Sequence, residues 1–293
     1  MKKISQWLDI KKILEENKFS NIVLISKNVT IYSTIFIFNG RYKNEEQKFF
    51  LKSFNYSDEM SYNIEGEMYS LFVKHGLVVP KVYLSNKQFY VTKYLEGQTL
   101  QKIYTQSPYK YGEINSKMIK ILSGLRKITS TKSEPFHQHI IDTWVVPITI
   151  YLPKFKTEFE SLPRSLYYDD FKLWNFLEVN NEVYCTDLPP LERYIPWYCD
   201  AVRVVHSYFT TAIKHKKWAL LKLSPKIEAD FISKCNLSKQ EKVIFYKLYY
   251  IDILVHLNIF KKTHRFIYPF LYILYYIFLI RRVKKIITDG TII

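Results

Sequence analysis

Glycine is scarce in this chain: 7 of 293 residues, with none between positions 21 and 39. Backbone that closes tightly on phosphate usually does so at glycine, so the first strands carry no such loop. Ser33 and Thr34 are the hydroxyl donors left there. The three cysteines, Cys185, Cys199 and Cys235, are odd in number and show no paired spacing. That pattern excludes a disulfide framework and a thiolate metal cluster, and it fits a reducing, cytoplasmic setting. Acidic residues number 27 against 43 basic ones, a net charge of +16, which favours anionic partners. The basic residues are dispersed, with no run dense enough for a nucleic-acid groove, so nucleic acid is not an expected partner. The basic start runs into a charged segment rather than an apolar one, and no secretory leader is expected.

Long apolar runs are also missing, save residues 266–280, which carry no charge. As a helix this run spans about 22 Å, short of the ~30 Å hydrocarbon core, and Pro269 sits near its start. A membrane span is therefore excluded. Two readings stay open: a terminal helix packed into the protein, or an aromatic helix at 266–285 lying on the inner face of an anionic membrane. Lys261, Lys262, Arg265, Arg281, Arg282, Lys284 and Lys285 flank the run and would suit the second.

What is present is enough for a packed protein. Hydrophobic residues make up 48% and charged residues 24%, which excludes a disordered chain and allows two lobes. Helical spacing marks residues 4–17. Strand-like stretches follow at 21–25, 29–38 and 47–54, with Asn39-Gly40 and the following polar residues marking a turn between the last two. A helix is expected at 59–75 and two more strands at 81–84 and 88–95. After Gly97 the pattern turns helical, at 113–128, 137–160, 198–217, 238–260 and 266–286. A hairpin near 174–186, turning at Asn180-Asn181, interrupts these helices. The fold class is α+β, with a small five-stranded antiparallel lobe over residues 1–96 and a mainly helical lobe over 97–293.

The chemistry concentrates in the run Tyr168-Asp-Asp-Phe-Lys-Leu-Trp-Asn175 and in Asp187, twelve residues after Asn175. A carboxylate, a lysine, an amide and a second carboxylate in this order suit metal-assisted phosphoryl transfer, where one group orients a hydroxyl and two oxygens hold Mg²⁺. Asp169 beside Asp170 leaves the register open by one, and the spacing to Asn175 favours Asp170. Lys52 interrupts an apolar strand, either as an outward edge residue or as a phosphate-binding cation that needs an acidic partner. Glu65 and Glu67 point roughly 160° apart on a helix, so only one can face that strand. Glu65 shares a face with Met68, Tyr69 and Phe72 and is preferred. His137 and His139 have metal-ligand alternation without a third ligand nearby. Trp144, Trp197 and Trp218 read as packing residues, and Trp174 as a wedge within the loop.

This order of residues resembles the protein-kinase-like superfamily, and within it the small-molecule branch of aminoglycoside and choline phosphotransferases. Supporting stretches are His75 to Tyr83, Phe89 to Leu100, Asp170 to Asn175, and Ile195-Pro-Trp-Tyr-Cys-Asp200, whose aspartate would brace the loop. The resemblance implies ATP- or GTP-dependent phosphorylation of a hydroxyl on a sugar, aminoglycoside or amino alcohol. Asp170 would be the catalytic base, with Lys172 neutralising the transferred phosphoryl. Asn175 and Asp187 would hold Mg²⁺. Lys52 would contact phosphates and pair with Glu65, and backbone groups of Lys93 and Leu95 would hold the base. Tyr168-Asp169 stands where the family has His-Gly, and no glycine follows Asp187. A catalytically degenerate scaffold and a membrane-surface envelope-glycan kinase are the alternative readings. The positive charge favours a neutral or anionic sugar as acceptor.

Overall fold

The structure is a computed structural model. It describes residues 7–30, 33–54, 64–86, 88–129, 135–136, 138–189, 192–263 and 269–289; the side chains of 64–66, 259–263, 269–275 and 289 lie outside the description. The chain divides into two compact units, residues 1–98 with 176–192, and residues 99–175 with 193–293.

In the first unit, α1 (Trp7–Glu16) precedes β1 (Phe19–Val29), β2 (Ser33–Tyr42) and β3 (Glu45–Phe54); α2 (Ile64–Lys74), β4 (Val82–Ser85) and β5 (Phe89–Lys93) follow. The strands form one five-stranded antiparallel sheet, as expected from the sequence, and its order is β1-β2-β3-β5-β4. Alternation along the strands turns Phe36, Phe38, Phe49, Leu51, Phe89 and Val91 to one face, where Ile10 and Leu14 of α1 cover them. Trp7 stacks on Phe36, ring centroids 5.3 Å apart. Period two then sends Lys52 to the opposite face. There Tyr69 of α2 meets Tyr90 at 5.4 Å, and Met68, Tyr69 and Phe72 form the buried side of α2 while Glu67 is exposed.

The turn expected from Asn39-Gly40 and the polar residues after it falls among those later residues. Ladder pairing runs unbroken from Ser33↔Phe54 to Tyr42↔Glu45, and Lys43, at φ +53°, makes the reversal. Gly40 lies within the strand, where a Cβ would meet the Ser20 carbonyl at 3.4 Å, an ordinary contact distance. The expected second turn is found. Asn180 and Asn181 both take positive φ (50° and 66°) between Phe176–Val179 and Glu182–Cys185, matching the twist of a two-residue hairpin.

The second unit is mainly helical: α3 (Leu100–Gln106), α4 (Tyr111–Arg126), α5 (Tyr198–Lys214), α6 (Ser224–Lys234), α7 (Lys239–Thr263) and α8 (Pro269–Asp289). A short antiparallel pair, Arg164–Leu166 with Tyr194–Pro196, sits among them. The single helix expected at 137–160 is broken instead. Among its described residues, short helical pieces run Gln138–Ile140, Ile141–Val145 with π-type turns, Val146–Tyr151, Pro153–Phe155 and Lys156–Ser161. Pro153 cannot donate to the preceding turn and ends the piece before it. His137 lies outside the described residues.

Helix α5 is the core of this unit, with fifteen of its residues buried from Tyr198 to Ile213. The C-terminal α8 takes the packed reading over its described side chains: Tyr276, Leu279 and Val283 are buried, and Phe278 is exposed. Arg282 reaches Glu228 of α6 at 2.5 Å, and Tyr246 donates to the same carboxylate at 2.9 Å. Among the described residues no helix is long and apolar enough to cross a membrane.

Two substitutions test this packing. A Cβ on Gly97 would lie 2.3 Å from the Glu178 carbonyl oxygen, a backbone atom that cannot rotate away. Gly97→Ala is expected to cost about 1–3 kcal/mol in urea unfolding. Arg282→Met leaves Glu228, 2% exposed, charged without its cation and is expected to cost about 3–5 kcal/mol. A loss below about 1 kcal/mol in denaturant melts would show that α8 is not anchored by this pair.

Candidate active site

The loop after Leu166 is built by capture of its backbone. The amide of Tyr167 donates to the Arg193 carbonyl at 2.8 Å, and that of Tyr168 to Asp200 Oδ2 at 2.9 Å from inside α5. Asp200 thus braces the loop, as its place in the sequence suggested. The chain then passes through Asp169 at φ +72°, a region where glycine is unstrained and aspartate is tolerated. This explains how Asp169 can stand where glycine is usual. Its carboxylate is gripped by Arg203 at 3.1 Å, His139 Nε2 at 3.1 Å and Arg193 at 3.4 Å. Burial opposes its charge, yet His139, Arg203 and Arg193 hold it well below the ordinary aspartate range.

The two adjacent aspartates therefore differ in their surroundings. Asp169 is an anchor, and Asp170 presents a half-exposed carboxylate. Lys172 Nζ lies 2.5 Å from Asp170 Oδ1, while Asn175 Nδ2 (2.9 Å) and Trp174 Nε1 (3.2 Å) donate to Oδ2. Burial works against ionisation of Asp170, but Lys172 and Asn175 outweigh it and hold the carboxyl below its usual value. Asn175 Nδ2 also donates to the Asp170 carbonyl at 2.7 Å. An amide ligates a cation through its oxygen, and the Asn175 nitrogen is the atom turned to Asp170. The Leu173 amide meets Ser207 Oγ of α5 at 3.4 Å, a second tie between loop and helix.

In the first unit, Lys52 Nζ lies 2.7 Å from Asp187 Oδ1, with Lys52 mostly buried and Asp187 half exposed. The lysine therefore has the acidic partner its position demands. The side chain of Glu65 lies outside the described residues. At the end of β5, Lys93 donates its amide to Lys81, and Tyr94 donates to Lys48. Tyr94 and Lys48 form the bonded pair, so the ladder's alternation turns the Lys93 carbonyl away from β3. The Leu95 amide has no backbone partner among the described residues. Ser33 and Thr34 are both buried, and Ser33 meets Thr30 Oγ1 at 3.3 Å, so neither presents an exposed hydroxyl.

Sequence reasoning missed Arg203, His206, Asp252 and His256. His206 Nδ1 lies 2.5 Å from Asp252 Oδ2. Burial pushes the His206 imidazole down to about 4, and Asp252 is held well below the usual carboxylate range against its own burial by His256 and His206. A readable signal existed for α5: Asp200, Arg203, Ser207 and Thr210 recur at helical spacing along an otherwise apolar helix.

The Asp200 carboxyl is raised from 3.8 to about 7, first by burial, against the relief given by the Tyr168 amide. A raised acid stabilises the fold fully below its unfolded value, and that contribution is lost as pH rises through about 7. The loss has a ceiling of about 4 kcal/mol. Asp200→Asn, which can still accept from Tyr168, is expected to flatten the fall in thermal midpoint between pH 4 and 8. Asp200→Ala, which orphans a buried amide, should instead destabilise by about 1–3 kcal/mol at every pH. Parallel melting curves for wild type and Asp200→Asn would remove Asp200 as the titrating brace.

No protein-family model matches the sequence, and no curated relative does. Solved structures do. An aminoglycoside phosphotransferase, APH(2″)-Ib with ADP bound, aligns at TM-score 0.58 and 14% identity, covering 96% of this chain and 97% of its own. The streptomycin–ATP–APH(2″)-IIa ternary complex aligns at 0.57 and 14%, over 87% and 91%. Choline kinase from Cryptosporidium parvum Iowa II aligns at 0.53 and 10%, over 98% of each chain. The chain therefore has the kinase-like α+β fold shared by aminoglycoside phosphotransferases and choline kinases.

Proposed function

We propose that this protein is a phosphotransferase that moves the terminal phosphoryl group of ATP or GTP to a hydroxyl of a small molecule. The observation that carries this reading is the Asp170 carboxylate, ionised and tied by Lys172, Trp174 and Asn175 within one loop. Asp170 accepts the hydroxyl proton of the acceptor and aims its oxygen. Lys172, already against Asp170, meets the negative charge that spreads over the phosphoryl oxygens during transfer, an electrostatic role worth several kcal/mol in such sites.

The remaining roles follow from donor chemistry. A carboxylate (Asp187) and an amide oxygen (Asn175) are the hard ligands that Mg²⁺ takes, and they fit that ion. When bound, Mg²⁺ supplies neutralising charge to the nucleotide phosphates. Lys52 contacts the phosphates, with Glu65 as its further partner, and the Lys93 carbonyl and Leu95 amide hold the base. Nucleotide complexes of proteins with this fold, one with ADP and one with ATP, support the cofactor assignment.

A second reading, a kinase-like scaffold without catalysis, is favoured by the glycine-free β1–β2 segment and the burial of Ser33 and Thr34. Thermal shift separates the two, since a nucleotide at 100 times its Kd stabilises by about 2.7 kcal/mol. Stabilisation by ATP or GTP with Mg²⁺ supports the enzyme, and no shift with any nucleotide supports the scaffold. Asp170→Asn is expected to lower turnover by about 10²–10⁴-fold on the best acceptor while leaving the nucleotide shift intact. Unchanged turnover would falsify the assignment of the base.

A further inference from the structure

Beside the loop, within the second unit, lies a small cavity of about 50 Å³ whose lining includes Lys172, Trp174, Arg203, Thr210, Asp252 and His256. That volume has room for several water-sized groups. The mechanism above uses only Lys172 and Trp174 of these residues.

The hydrogen bonds fix what the cavity can recognise. His256 Nδ1 lies 2.9 Å from the Asp252 carbonyl oxygen and 3.4 Å from its carboxylate. Both can only accept, so Nδ1 carries a proton, and in the neutral imidazole Nε2 then presents a lone pair. Nε2 has no hydrogen-bond partner among the described residues. Arg203 Nε is buried and likewise lacks a hydrogen-bond partner, although its guanidinium lies between Asp169 and Asp252. The lining thus offers one unmet acceptor and one unmet donor. A hydroxyl is both donor and acceptor and can answer either; an ammonium group can only donate.

Charge excludes the cation independently. The single carboxylate in the lining, Asp252, is 2% exposed and already shared by His206, His256 and Arg203. Trp174, the aromatic face on which a cation could rest, already has Lys172 at 5.1 Å and Lys214 at 5.5 Å from its centroid. A third positive charge would meet repulsion. His206, Asp252 and His256 are also close enough to hold a metal ion. Yet both histidines turn Nδ1 to Asp252 as donors, a hydrogen-bonded network rather than a set of open ligands.

We propose that this cavity is the acceptor subsite, that His256 reads an acceptor hydroxyl there, and that it selects sugars, neutral or anionic, over ammonium alcohols. The proposal rests on the phosphotransferase reading for its role but not for its binding chemistry. Saturation-transfer NMR on the full chain, with glucose, glucose 6-phosphate and choline as separate probes, reads binding without catalysis. Sugar signals without choline signals are expected, and the two sugar arms separate neutral from anionic preference. His256→Ala should weaken sugar binding about tenfold, the worth of one hydrogen bond, and His256→Gln, which keeps an acceptor, should weaken it less. Nucleotide-induced thermal shift should be equal in all three proteins, which also verifies that the variants fold. Choline binding in preference to sugars, no binding of either sugar, or equal sugar affinity in His256→Ala would overturn the proposal. Sugar binding that depends on His256, in a protein that transfers no phosphoryl group, would leave the subsite standing and overturn the enzymatic reading instead.

Discussion

The loop that carries Asp170 depends on polar groups held inside a buried helix. Asp200, Arg203 and Ser207 all project from α5, and each takes part of the segment after Leu166: the amide of Tyr168, the carboxylate of Asp169 and the amide of Leu173. Burying such groups is unfavourable unless each finds a partner. Here helix and loop satisfy one another, so neither can shift alone. The left-handed backbone at Asp169 costs on the order of 1–2 kcal/mol. Charge-assisted hydrogen bonds of about 1.5–3 kcal/mol each can offset that, and Asp169 has three such partners. The Asp170 carboxylate is thus placed by its neighbour, which explains why two adjacent aspartates have unlike surroundings.

The first unit solves a simpler problem. Strand alternation separates a fully apolar face from the face bearing Lys52, so one register decides both the core and the position of the cation. A slip by one residue would bury Lys52 against α1 and expose Leu51. Packing of six apolar side chains under α1 therefore enforces the location of a charged group that contributes nothing to that core.

How much of this was legible in the residues depended on periodicity. The five strands, α2 and the hairpin have strong alternation or turn chemistry, and Asn180-Asn181 announces its own conformation. Asp170, Asn175 and Lys52 stood out because each breaks an apolar pattern or keeps a fixed spacing. Asn39-Gly40 marks the reversal only loosely, because the ladder runs on to Tyr42↔Glu45 before the chain turns. The helix at 137–160 misled because apolar residues continue through Pro147 and Pro153. Helix α6 and the strand pair Arg164–Leu166 with Tyr194–Pro196 were too short or too polar to register. His206, Asp252 and His256 were invisible for another reason: their partners lie on three helices, and only tertiary packing brings them together.

The scarcity of glycine finally acquires a physical meaning. Among the described residues, eight other than glycine hold positive φ: Lys18, Asn21, Lys43, Asp169, Asn180, Asn181, Lys216 and Asn236. Half of them are asparagine, which tolerates this region best, and Asp169 is secured by ion pairs. At the β1–β2 reversal the hydroxyl of Thr30 takes the amide of Ser33 at 2.9 Å, a side-chain substitute for a glycine turn. Glycine survives where no side chain can substitute, as at Gly97 under the Glu178 carbonyl. A chain built this way closes its turns with polar side chains, and those side chains are no longer available to a ligand. On the phosphotransferase reading, phosphate recognition falls to cations such as Lys52 and Lys172 rather than to a cradle of backbone amides, in keeping with the strongly basic composition of the whole protein.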